Sequence, residues 1–104
     1  MSETAVPLTL VGRNDCHLCT DAKAVIETVI VAAKDSDIAI EYREVSIDDD
    51  QDFAEKYGED IPVVLVNGNV YASHIVYEDK LAYAVLYERD RIARSKRRWW
   101  RFGS

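Results

Sequence analysis

Cys16 and Cys19 are the two cysteines of the sequence, and they stand as Cys16-His17-Leu18-Cys19. A bridge between residues so close closes almost no loop, so it adds very little stability. In a reducing compartment such a pair carries redox or metal chemistry more often than it staples a fold. The redox form of that chemistry needs one exposed thiolate to attack a disulfide sulfur and a second thiol within reach to resolve the mixed disulfide. The metal form fits less well. His17 is adjacent to Cys16 and would point away from the cysteine face, and a zinc site would want a fourth ligand, for which only His74 is available. The expectation is therefore a dithiol and no metal site.

What positions the pair is legible around it. Pro7-Leu8-Thr9-Leu10-Val11-Gly12 is a short apolar run that reads as a buried first strand, followed by a tight loop at Arg13-Asn14-Asp15. Leu18, Ala22, Val25, Ile26, Val29 and Ala33 recur at the helical period, which predicts an amphipathic helix over about residues 16–34 with Asp15 as N-cap. Cys16 then sits at a helix start, where unpaired backbone N–H groups and the positive end of the helix dipole stabilise a thiolate. Arg13 adds positive charge and Asp15 opposes it. His17 has two equal readings, a partner that shares a proton with Cys16 or a solvent-facing residue of the first turn. Cys19 lies about one turn further in, on roughly the same face.

The rest of the chain alternates in the same way. Residues 38–45 read as a second strand. Asp48-Asp49-Asp50 caps a short helix bearing Phe53 and Tyr57 and stopped by Gly58, and this acid run reads as cap and solvated surface. Residues 61–66 read as a third strand, Asn67-Gly68 as a hairpin turn and residues 69–73 as a fourth strand. A last helix runs from Tyr77 to about residues 91–94, its apolar pattern interrupted by Glu88. Most of the six tyrosines fall at core spacing and read as packing residues.

This β-α-β-α-β-β-α order, with Cys16-His17-Leu18-Cys19 opening a helix and Ile61-Pro62-Val63-Val64 starting the third strand, resembles the glutaredoxin branch of the thioredoxin superfamily, and more narrowly its small Cys-His-Leu-Cys members. The resemblance covers about residues 6–88. It implies an α/β thioredoxin-like fold, a four-stranded mixed sheet ordered 2-1-3-4, and helices on both faces, the first and third on one and the second on the other. It implies Cys16 as catalytic nucleophile, Cys19 as resolving residue, a cis Pro62 against the pair, and Arg13 as the cation for a glutathione carboxylate. Base rates alone favour a trans bond at Pro62. A cis bond would present the backbone of Ile61 for strand-like pairing with substrate. The sequence has Asp60-Ile61-Pro62 where glutaredoxins have Thr-Val-Pro, and Ala72-Ser73 where they have Gly-Gly. A Cβ at a close-contact position blocks backbone approach. The expectation is thus weak dependence on glutathione as co-substrate, no bound cofactor, and better reduction by a flavoprotein reductase or a dithiol.

Composition and charge bound the remaining classes. The chain has 104 residues, 48% hydrophobic and 31% charged, with four Gly and two Pro, which suits one globular domain and excludes a collagen-like or low-complexity chain. No apolar run approaches the roughly 18–20 residues of a membrane span. Glu3 stands where a signal peptide would be basic, so a cytoplasmic protein is expected. Residues 1–88 carry 18 acids and 6 bases, net −12, whereas residues 89–104 carry 7 bases and one acid, net +6. The acidic part argues against nucleic-acid binding by the domain. We divide the chain into a glutaredoxin-like domain, 1–93, and a basic aromatic tail, 94–104. The tail's Arg94-Ser95-Lys96-Arg97-Arg98-Trp99-Trp100-Arg101-Phe102 suits nucleic acid, anionic lipid or an acidic protein surface, including that of its own domain.

The functional expectation is a thiol–disulfide oxidoreductase that acts on protein or small-molecule disulfides. A second reading is a redox-silent adaptor that binds through its tail. A third is a metal or cluster site at Cys16, including a cluster bridging two chains as in some glutaredoxins.

Overall fold

A computed structural model describes the backbone of residues 5–103 and the side chains of residues 5–96. The elements follow in the order β1 (Val6–Gly12), α1 (His17–Asp35), β2 (Ile40–Ser46), α2 (Gln51–Tyr57), β3 (Val63–Val66), β4 (Asn69–Ser73) and α3 (Glu78–Gly103). The four strands form one sheet in the order β2-β1-β3-β4. β1 is parallel to β2, antiparallel to β3, and β3 is antiparallel to β4. The two interior strands, β1 and β3, are largely apolar, as strands covered on both faces require. All four residues of β3 are buried.

The period-2 alternation of β1 and β3 divides the core in two. Val6, Leu8, Leu10, Val64 and Val66 face α1 and α3 and pack with Ile26, Val29, Leu81 and Val85. Val11, Val63 and Leu65 face the other way and pack with Phe53 and Tyr57 of α2. The first and third helices therefore share a face of the sheet and the second covers the opposite one, as expected. The apolar stripe of α1, Cys19-Ala22-Ile26-Val29-Ala33, is buried along its whole length.

The hairpin turn is built by two residues with positive φ, Asn67 at 53° and Gly68 at 81°. That is the mirror-image turn whose twist matches paired strands, and an Asn-Gly pair adopts it at least cost. The Ile61–Pro62 bond is cis, and Pro62 is buried.

Three sequence expectations change. The N-cap of α1 is Cys16, whose Sγ accepts from Cys19 N–H at 3.2 Å, while Asp15 sits at φ 56° in the turn before it. A sulfur can fill the capping role, and Asp15 has a left-handed φ that Asp and Asn tolerate better than most residues. α3 does not stop near residues 91–94 but continues to Gly103. The side chains of Trp99, Trp100, Arg101 and Phe102 lie outside the described residues. Finally, four of the six tyrosines, Tyr71, Tyr77, Tyr83 and Tyr87, are exposed, and Tyr83 and Tyr87 stack on each other along α3.

Glu88, which breaks the apolar pattern of α3, is fully buried. Asn67 and Asn69 donate to its carboxylate at 3.1 and 3.0 Å, Tyr71 OH donates at 2.5 Å, and Arg91 donates to both oxygens at 3.3 Å. Burial pushes the Glu88 carboxyl pKa up, but the bonds from Tyr71, Asn67 and Asn69 and the Arg91 charge outweigh it and hold the group below its ordinary value. Tyr71 is exposed as a residue, but partial desolvation of its hydroxyl and then its bond to Glu88 push the phenol up to about 12. This carboxylate ties the β3–β4 hairpin to α3.

Candidate active site

β1 ends at Gly12 and the chain turns through Arg13, Asn14 and Asp15 into the first turn of α1. Cys16 is half-buried, Cys19 is buried, and Arg13, His17 and Leu18 are exposed. The Cys16 and Cys19 sulfurs are at disulfide distance, with their Cα atoms 5.1 Å apart. Cys16 thus lies at the surface side of the pair and Cys19 at the core side. The carbonyl of Cys16 accepts from Thr20 N–H at 3.1 Å and from the Thr20 hydroxyl at 3.2 Å. No acidic residue occupies the first turn of α1. A negative charge on Cys16 Sγ therefore meets helix-start N–H donors without a carboxylate in that turn to oppose it.

Gly12 shapes the pair from below. A Cβ built on it would lie 2.9 Å from Cys19 Sγ, closer than real side chains approach. The absent side chain lets β1 pass directly under Cys19.

The pair opens into a cleft of about 800 Å³ lined by residues 12–17, by Cys19, Thr20 and Lys23 of α1, and by the end of β2. Lys23 follows Cys19 by one helical turn and its Nζ is 3.2 Å from Glu44 Oε2. Tyr42 OH donates to the same oxygen at 2.9 Å. Burial, then the Glu44 bond, raises the Tyr42 phenol well above its usual range. The cleft therefore carries cations at Arg13 and Lys23 and carboxylates at Asp15, Glu44 and Asp49.

Arg13, Cys16, His17 and Cys19 all lie in this cleft. Ile61 and Pro62 line the other flank of β1 instead. Continuing the β1–β3 register, which pairs Val11 with Val63, places Pro62 across from Gly12. Pro62 O accepts from His74 N–H at 2.8 Å, and His74 Nε2 stands 3.9 Å from Asp60 Oδ1. His74 is thus a strand-end residue that braces the Pro62 segment. Ala72 and Ser73 lie within β4. Among the described residues no three His, Cys, Asp or Glu side chains gather at metal-holding geometry.

Sequence reasoning missed Gly12, Lys23 and Glu44 as cleft residues. Lys23 had a signal, since it follows Cys19 at the i,i+4 spacing that shares a helix face. Glu44 had none, because only the parallel register of β1 and β2 brings it there.

A four-stranded β2-β1-β3-β4 sheet with α1 and α3 on one face, α2 on the other and a Cys-x-x-Cys at the start of α1 defines a thioredoxin-like fold. The chain belongs to the glutaredoxin-like domain family (DUF836), whose model matches residues 7–86. Comparison with curated protein sequences gives no match. Solved structures agree on the fold. A malaria-parasite thioredoxin-2 matches with TM-score 0.58 and 19% identity, over 80% of this chain and 82% of that one. A Fasciola hepatica thioredoxin matches with TM-score 0.56 and 15% identity, over 82% of each chain. A Staphylococcus aureus protein of unknown function matches with TM-score 0.62 and 13% identity, over 81% of this chain and 91% of that one.

Proposed function

We propose that this protein is a thiol–disulfide oxidoreductase that reduces disulfides of proteins or small molecules. The observation that supports it most is the Cys16–Cys19 pair at the start of α1, with Cys16 Sγ on a backbone N–H and Cys19 buried behind it. In the reduced protein the Cys16 thiolate attacks one sulfur of a substrate disulfide. An S–S bond forms to Cys16 and the other substrate sulfur leaves as thiolate, taking a proton from water or buffer. The Cys19 thiol loses its proton and attacks Cys16 Sγ, which releases the second substrate thiol and leaves the Cys16–Cys19 disulfide. Two electrons pass to the substrate, and a dithiol or flavoprotein reductase returns them.

In this reading Arg13 favours the charged form of Cys16, His17 is a candidate for tuning it, and the Ile61–Pro62 segment offers backbone to an extended substrate. Glutathione contributes weakly, since Ala72-Ser73 carry Cβ atoms where glutaredoxins have glycines. No helix among the described residues is long and apolar enough to cross a membrane, and a dithiol of this kind works in a reducing compartment such as the cytoplasm.

The test is turnover on a small disulfide with a dithiol donor. Cys16→Ser should lower it to background, and Cys19→Ser should trap mixed disulfides with substrates. Full activity in Cys16→Ser would refute the assignment.

A further inference from the structure

α3 does more than cover the sheet. Leu81, Val85 and Glu88 are buried along one arc of the helix, and Ile92, next on that arc, is half-buried against the core. Ser95 and Lys96, a turn further on and flanking the same arc, are exposed. Among the described side chains, cover from the sheet on this arc ends at Ile92, while the helix goes on to Gly103, about 16 Å further.

The residue order of that extension is segregated. At about 100° per residue, positions 92, 99, 100 and 102 (Ile, Trp, Trp, Phe) share one half of the helix with Ala93, Ser95 and Gly103. Arg91, Arg94, Arg97, Arg98 and Arg101 occupy an arc of about 120° on the other half. Lys96 is the one cation among the apolar positions, and its long stem lets the charge reach outward. Arg91, Arg94 and Lys96 are exposed.

We propose that residues 91–102 of α3 form an interfacial helix that holds this protein on anionic lipid bilayers. A bilayer surface meets both halves at once, with lipid phosphates for the arginines and the headgroup boundary for Trp and Phe. Single-stranded nucleic acid calls for the other arrangement, since stacked bases and their phosphates require aromatics and cations on one face. Charge sets the orientation. The net −12 of residues 1–88 is repelled by an anionic surface that attracts the net +6 of residues 89–104.

Topology agrees with that orientation. β4 runs from the Asn67-Gly68 turn back toward the Cys16 end, α3 returns along the sheet to bring Glu88 to the turn, and the extension leaves from there. The cleft then faces away from the bilayer, toward disulfides in solution.

The only two tryptophans, Trp99 and Trp100, lie in the extension, so intrinsic emission reports on it directly. The full chain is mixed with vesicles of equimolar phosphatidylcholine and phosphatidylglycerol, and flotation and emission are followed. Co-flotation and a blue shift are expected with these vesicles and not with phosphatidylcholine alone. Raised salt and the Arg94→Glu/Arg98→Glu/Arg101→Glu variant should each weaken partitioning about tenfold or more. A milder Arg94→Gln/Arg98→Gln variant, checked for an unchanged urea midpoint, should weaken it by less. Cys16→Ser should float as the parent does, which separates this proposal from the redox reading. Failure to float with anionic vesicles would overturn it. So would emission already blue in the free protein and unmoved by vesicles, the sign of a helix docked on its own domain or a second copy. A single-stranded RNA oligonucleotide that strips the protein from vesicles at equal phosphate would overturn it in favour of nucleic acid.

Discussion

The two ends of the sheet carry polar groups under opposite conditions. At the hairpin end Glu88 is fully buried and its carboxylate accepts from four side chains, drawn from the turn, β4 and α3. At the other end Cys16 is half-buried at the mouth of an open cleft, and the contact that orients its sulfur is one backbone N–H. A saturated buried group is held in one state and holds its neighbours. A group with a single donor and open access can change partner and bond. The difference separates what fixes this fold from what can react in it.

Substitution at the closed end should break the fold and leave the chemistry alone. Glu88→Ala removes the acceptor of Asn67, Asn69, Tyr71 and Arg91, and should destabilise the protein by about 3 kcal/mol in urea unfolding. The protein that remains folded should keep its turnover per molecule. Substitution at the open end should do the reverse. Gly12→Ala places a Cβ against Cys19 Sγ, costing about 1–3 kcal/mol and slowing disulfide reduction well beyond what that loss explains. Equal activity in Gly12→Ala would separate β1 from the resolving step. A smaller effect, about 1 kcal/mol, is expected for Tyr71→Phe, which takes one donor from Glu88 and leaves three.

The pH response sharpens the same contrast. Glu88 has a lower pKa folded than unfolded, so the unfolded chain binds its proton more readily. Its contribution to stability is therefore present above the unfolded value of about 4.3 and is lost as pH falls through the folded one. The parent should lose more stability than Glu88→Gln on acidification through that window, and identical pH profiles would contradict the network. In the same variant the Tyr71 phenol, pushed up to about 12 in the parent, should titrate closer to its ordinary value.

The sequence showed these two ends unequally. The Cys pair, the hairpin turn and α1 were legible because their signals are local, a spacing of three, an Asn-Gly dipeptide and a helical stripe. The sheet order and the facing of the helices came from resemblance. Glu88 was visible only as a fault in an apolar pattern, because its hairpin partners lie 17–21 residues away and meet it through the hairpin. The sequence points to Asp15 as the cap of α1 because Asp is the commoner cap, whereas Cys16 takes the role through its sulfur, for which no sequence signal exists. Glu44 entered the cleft through strand register, which one-dimensional pattern does not carry.

The proposed division of labour between Cys16 and Cys19 can be read from the pH dependence of alkylation in the reduced protein, with each cysteine followed by peptide mapping. Cys16 should be modified first, with a midpoint below the free-thiol value of about 8.5, and Cys19 should stay protected until Cys16 is blocked or the protein unfolds. Equal labelling of both cysteines, or a Cys16 midpoint at or above that value, would contradict that division.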